Sequence, residues 1–173
     1  MKRYLEPGKR NTNHLKSNKM NKAVEKANEI IERFKTSDPE KILNKLGIDV
    51  LDVPLAGDMK EISFTDHIVI RAGLSKSERR QLLAHALCHQ LIHAGNHLLK
   101  KKRPYSFGNY HEKQADVFAA YLLIPESKLE RLTDNDLTIY DLAEKFEVLP
   151  YFAKFRIGLA KHYYPKKYSF LRS

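Results

Sequence analysis

Residues 84–93 read "AHALCHQLIH", and residues 111–116 read "HEKQAD". His85 and His89 stand four residues apart, which on a helix puts both imidazoles on one face, a turn apart, within reach of one ion. A histidine pair at this spacing also arises by chance in a chain with eight histidines, so the pair alone decides little. Glu112 and Asp116 repeat the i, i+4 relation in the second stretch. A carboxylate there can complete a two-histidine, one-glutamate site, the donor set with which catalytic zinc keeps a fourth position open for water. Asp116 is then placed to accept the free N–H of a ligand imidazole and fix its tautomer. The bland alternative is that both acids are solvated helix charges.

The elements around these stretches set the expected fold class, α+β and mainly helical. A helix is expected over residues 20–36, with Val24, Ala27, Ile31 and Phe34 as its apolar spacing. Ser37 and Asp38 before Pro39 signal a second helix, "PEKILNKL", ended by Gly47. "IDVLDV", "KEISF" and "HIVIR" (48–71) read as a small antiparallel sheet of about three strands. The helix carrying the histidines starts at Ser75 or Ser77, with Glu78 in its first turn. The next starts at Asn109 and stops at Pro125. A short helix and then a helix-turn-helix-like pair, "TIYDLAEKFEVLPYFAKFRIGLA", complete the chain. The expected divisions are a basic, flexible tail (1–19), a core (20–132) and a C-terminal helical region with a basic tail (133–173).

"RRQLLAHALCHQLIH" followed by "YHEKQADVFAAYLLIP" resembles the ImmA/IrrE family of zinc metallopeptidases, whose members carry "LAHELGHxxxH" and then "ExxADxFAxxLLMP". The resemblance spans roughly residues 20 to 160 and implies a zincin-like peptidase core. It makes His85, His89 and Glu112 ligands of one Zn²⁺ and Asp116 a partner of a ligand imidazole. His93 also falls in the family pattern. At i+8 from His85 it has drifted about 80° round the helix, so it reads as a core or supporting histidine. His97 and His111 read as solvated. The resemblance also implies a protein substrate, a helix-turn-helix transcriptional repressor, whose cleavage derepresses a mobile-element or stress-response programme. No motif marks a substrate pocket.

The chain departs from the family at position 86. Ala86 stands where the general-base glutamate should follow the first histidine, and Cys88 where glycine is usual. A base that takes the proton of a zinc-bound water is worth about 10²–10⁴ in rate, so peptide cleavage should be nearly lost while zinc binding persists. Glu78 lies about two turns too early to replace it, and Glu126 lies beyond the second helix. Either an active parent has been deliberately inactivated, or this is a natural pseudo-peptidase that works by binding a repressor or DNA. The intact ligand set favours the first account.

The 173 residues carry 31 Lys+Arg against 21 Asp+Glu, a formal charge of +10. That excess suits nucleic acid or an acidic partner without choosing between them. At the start of the last helix, Leu149, Pro150, Tyr151 and Phe152 occupy positions where a DNA-reading helix shows polar groups, which argues for protein docking or packing. Glu147 falls in the turn where glycine is common. One cysteine forms no internal disulfide and points to a reducing, cytoplasmic setting. The N-terminus lacks the apolar stretch of a secretory signal, and no run approaches the ~20 apolar residues of a membrane span.

Overall fold

A computed structural model describes residues 12–92, 110–132, 137–164 and 168, with side-chain surroundings from residue 21 onward. His93, His97 and Asn109 lie outside the described residues.

Helix α1 (Thr12–Phe34) begins earlier than the expected residue 20, inside the segment read as a tail. Its buried stripe is Ala23, Ala27 and Ile30, with Val24, Ile31 and Phe34 only partly covered. The apolar spacing was legible, but the fully buried line runs through Ala23, Ala27 and Ile30, with only Ala27 shared with the expected set.

Helix α2 (Pro39–Lys45) is bounded as its sequence signals require. Asp38 accepts from the backbone N–H of Glu40 at 3.1 Å and Lys41 at 3.4 Å, and Pro39 takes the first turn, where a missing N–H costs nothing. At the other end Ile48 N–H donates to Leu43 O and Gly47 N–H to Asn44 O, a Schellman ending that needs the positive φ of Gly47.

Three strands follow: β1 (Asp49–Val53), β2 (Glu61–Ser63) and β3 (His67–Arg71). They form one sheet in the order β1-β3-β2, and it is mixed rather than antiparallel. β2 and β3 make the expected antiparallel hairpin, whereas β1 runs parallel to β3, with Asp49 opposite His67 and Val53 opposite Arg71. The connection over residues 54–60 carries the chain past one strand position, so β3 returns into the centre. Arg71 fastens that connection by donating to Met59 O at 3.0 Å and to Gly57 O. The centre suits β3 because its alternating Ile68 and Ile70 are fully buried.

Helix α3 (Lys76–Ile92) starts at a capping box made by Ser75 and Glu78. Ser75 Oγ accepts from Glu78 N–H at 3.3 Å, and Glu78 accepts from Ser75 N–H at 3.2 Å. Arg79 then ties three elements together, reaching Glu40 at 2.7 Å and Asp52 at 2.5 Å. One face of α3 lies on the sheet and another on α4 (Tyr110–Leu123). Helix α4 also packs against α1 and, through its end, the last helix; from Val117 to Leu123 every residue is buried. It is the central helix of the molecule.

Helices α5 (Glu126–Leu129), α6 (Ile139–Phe146) and α7 (Pro150–Tyr163) complete the fold. Thr138 and Asp141 form a capping box on α6, and Glu147 leaves it with φ +53°, the glycine-like turn foreseen at this position. Leu142, Phe146, Phe152 and Ile157 join the same buried cluster as α3 and α4. Fully buried Arg156 donates to Ile124 O at 3.0 Å and Glu126 at 2.5 Å, and lies 3.9 Å over the Tyr121 ring. Among the described residues no helix is long and apolar enough to cross a membrane.

Candidate metal centre

Helices α3 and α4 face each other so that the two i, i+4 pairs meet. His85 Nε2 lies 3.0 Å from His89 Nε2 and 3.1 Å from a Glu112 carboxylate oxygen; His89 Nε2 lies 3.7 Å from the other Glu112 oxygen. On the far side of the ring, His85 Nδ1 lies 3.1 Å from Asp116 Oδ1. The four residues chosen from the spacing are therefore brought together.

The fit to zinc can be judged from these distances. Bonds of about 2.0–2.1 Å at tetrahedral angles put ligand atoms roughly 3.3 Å apart. The observed separations of 3.0, 3.1 and 3.7 Å straddle that edge. Asp116 accepts from Nδ1–H and so leaves Nε2 of His85 as the atom directed at the shared centre. Donor set, spacing and tautomer control all suit the ion.

The electrostatics show what an ion would replace. Burial alone would push the His85 imidazolium down, but the hydrogen bonds to Asp116 and Glu112, with the nearby charge of Glu61, outweigh it and hold the pKa at about 10. Glu112 is held well below the usual carboxylate range by hydrogen bonds to His85 and His89. In the metal-free protein a proton on His85 thus neutralises carboxylates that a cation would otherwise meet. Cys88 is buried beside this centre, and burial together with the Asp116 and Glu112 charges pushes its thiol up to about 12, the reverse of a reactive cysteine.

Position 86 and the carboxylates weighed against it are now placed. Ala86 is fully buried in the core cluster. Glu78 is engaged in the α3 capping box and with Lys60 at 3.2 Å. Glu126 is taken by Arg156 and the Tyr168 hydroxyl. Both of these carboxylates are engaged in contacts of their own. His111 is exposed and meets the Tyr110 ring edge-on.

Sequence reasoning missed the surroundings of the centre. A cleft of about 570 Å³ opens beside His85 and Asp116 between β2, α3, α4 and the start of α7. Gln81, one turn before His85 on the same face of α3, accepts from Leu149 N–H at 2.7 Å and donates to the Tyr151 hydroxyl at 2.9 Å. A polar residue in that register was the available signal. Glu61 on β2 also borders the cleft, and nothing in local spacing could have announced it.

Comparison with known proteins agrees with this geometry. Residues 43–158 match the Peptidase_M78 family model, described as an IrrE N-terminal-like domain. The chain is also 28% identical over 120 residues to "Uncharacterized immunity region protein 2" of Bacillus phage phi105, covering 66% of this chain and 75% of that protein. With two-thirds of its length matched by the family model, and the cluster on α3 and α4 inside that match, the chain belongs to the ImmA/IrrE family of peptidase-like proteins.

Proposed function

We propose that this chain is a zinc metallopeptidase by descent, directed at a helix-turn-helix transcriptional repressor in a reducing, cytoplasmic setting, and that in its present form it holds zinc and substrate without cutting. The observation that carries the reading is the convergence of His85, His89 and Glu112, with their ligand atoms within 4.8 Å of one another. Zinc held there would supply Lewis acidity and a water of lowered pKa. The chain's own residues do the rest. Asp116 orients His85, Glu112 contributes negative charge, and the cleft beside them receives the polypeptide. Ala86 has no proton to move, so the step that a glutamate performs there is missing. The phage relative is named for an immunity region, which supports a repressor as the substrate class.

Ala86 with a complete ligand set favours an active parent altered at one residue over a natural pseudo-peptidase. A DNA-binding reading finds less support, because the first turn of α7, the groove-entering end of a helix-turn-helix, is tied to Gln81 of α3.

The test is Ala86→Glu, loaded with zinc and incubated with a helix-turn-helix repressor from the same immunity region. Cleavage that a chelator abolishes is expected, with a gain of about 10²–10⁴ over the present chain. Because position 86 is fully buried, the added carboxyl group costs about 1–3 kcal/mol even when protonated, and more when ionised, unless it reaches the zinc-bound water. Thermal unfolding with and without zinc separates these outcomes. A folded, zinc-loaded revertant that leaves the repressor intact would end the active-parent reading. Zinc uptake below half an equivalent by the present chain would end the metal assignment.

A further inference from the structure

The cleft beside His85 is lined by unlike residues from its flanking elements. Leu82 of α3 lines it together with Leu149, Phe152 and Phe155 from the turn before α7 and its first turns. Phe155 and Tyr151 stay exposed there, at 38% and 67%, although α7 buries its opposite face completely. Aromatic side chains left open at the rim of a cavity, over a floor fixed by the Gln81 hydrogen bonds, make a preformed apolar recess. The volume of about 570 Å³ is enough for more than one side chain.

The lining from β2, α3 and α4 is acidic, with Glu61, Glu78 and Asp116 against Lys60. Lys60 pairs with Glu78 at 3.2 Å, and Asp116 is joined to His85. Glu61 accepts from Ser63 Oγ at 2.7 Å, but no Lys or Arg among the described residues pairs with it. In a chain of formal charge +10, a half-buried carboxylate that no Lys or Arg among the described residues pairs, with only the His85 imidazole's charge acting on it, is a local inversion of sign. It favours a cation brought by the occupant.

We propose that this cleft is the specificity pocket of the site, taking an extended peptide in which a large apolar side chain enters the Leu82–Phe155 recess while an adjacent Lys or Arg pairs with Glu61. The proposal rests on the metallopeptidase reading for the identity of its occupant as substrate. Helix α7, in this arrangement, is part of the substrate wall rather than a separate reading head.

Because Ala86 removes the base, binding can be measured on the present chain without turnover. The probes are fluorescein-labelled seven-residue alanine-based peptides with Phe-Lys, Ala-Lys or Phe-Glu at the centre, followed by fluorescence anisotropy on the zinc-loaded chain. Replacing Phe by Ala should weaken binding about 10–100-fold, the worth of burying one large apolar side chain. Replacing Lys by Glu should weaken it at least about threefold at low salt, with the difference shrinking as salt rises. Phe155→Ala should erase the Phe preference, and Glu61→Gln the Lys preference. Both positions retain solvent access, and circular dichroism checks that each variant folds.

Equal binding of the three peptides, no binding by any of them, or preferences untouched in both variants would overturn the pocket. Bound metal, measured on the same samples, separates this from the parent reading. A zinc-loaded chain without peptide preference sinks the pocket alone. A chain that takes up no zinc yet keeps both preferences sinks the metal assignment and upholds the pocket.

Discussion

Two polar clusters sit toward opposite ends of α4, and they solve the same electrostatic problem differently. Near its start, Glu112 and Asp116 meet His85 and His89, and among the described residues no Lys or Arg pairs with these carboxylates. Near its end, Glu126 and Tyr121 meet Arg156, a fixed cation that is fully buried, and the Tyr168 hydroxyl closes the network. The second cluster carries its own counter-charge in the fully buried Arg156, although Glu126 and Tyr121 also line a small cavity of about 150 Å³. The first borders an open cleft and balances its carboxylates with a proton on His85. A cluster that the protein completes by itself is structural, and one that it leaves to a proton or an ion is poised for exchange.

The sharpest way to break this contrast is to delete one member from each cluster. Arg156→Ala strands Glu126 and the Ile124 carbonyl, so stability should fall by about 3–5 kcal/mol in denaturant titrations, with zinc stoichiometry unchanged. Glu112→Ala should do the opposite, abolishing stoichiometric zinc uptake while metal-free stability moves far less. If Arg156→Ala released the metal, or Glu112→Ala unfolded the metal-free chain, the division of labour would collapse.

A finer cut separates ligand from orienter. Asp116→Asn keeps the shape but weakens the hold on His85 Nδ1–H. Zinc affinity should drop about 10–100-fold, measured by competition with a chromogenic chelator. An unchanged affinity would mean that Asp116 does not orient the ligand.

The proton on His85 yields a pH dependence with a definite sign. Its folded, metal-free pKa is raised to about 10 from an ordinary value of 6.5. Its contribution to the metal-free fold is therefore whole below about 6.5 and is lost as pH rises through about 10. Zinc must displace that proton. Between those limits, apparent zinc affinity should rise about tenfold per pH unit, and a flat profile from pH 7 to 8 would contradict the proton's role.

The sequence showed the exchangeable cluster far better than the arginine-centred one, for a physical reason. His85 with His89 and Glu112 with Asp116 are local pairs whose facing follows from helical periodicity, so only the meeting of the two helices had to be inferred. Arg156, Glu126 and Tyr168 are joined across long stretches of chain, and no periodicity predicts a buried arginine. The same distinction explains the sheet. The β2–β3 hairpin was legible from its short turn, while the parallel β1–β3 pairing depends on where a loop crosses. Gln81 stood in register with His85 on α3, but its partners on α7 became visible only when the turn after α6 docked there.

The smallest expected effect probes the arginine-centred cluster at its rim. Tyr168 is buried and donates its hydroxyl hydrogen to Glu126, and burial together with that carboxylate pushes its pKa up, so it remains a donor at neutral pH. Tyr168→Phe keeps the ring and removes one hydrogen bond, while Arg156 still holds Glu126. The loss should be about 0.5–1.5 kcal/mol, well under that of Arg156→Ala, because the remaining charge stays paired. Zinc uptake and its pH profile should not move. If Tyr168→Phe cost as much as Arg156→Ala, the hydroxyl rather than the guanidinium would be closing the network, and the contrast between the two ends of α4 would have to be redrawn.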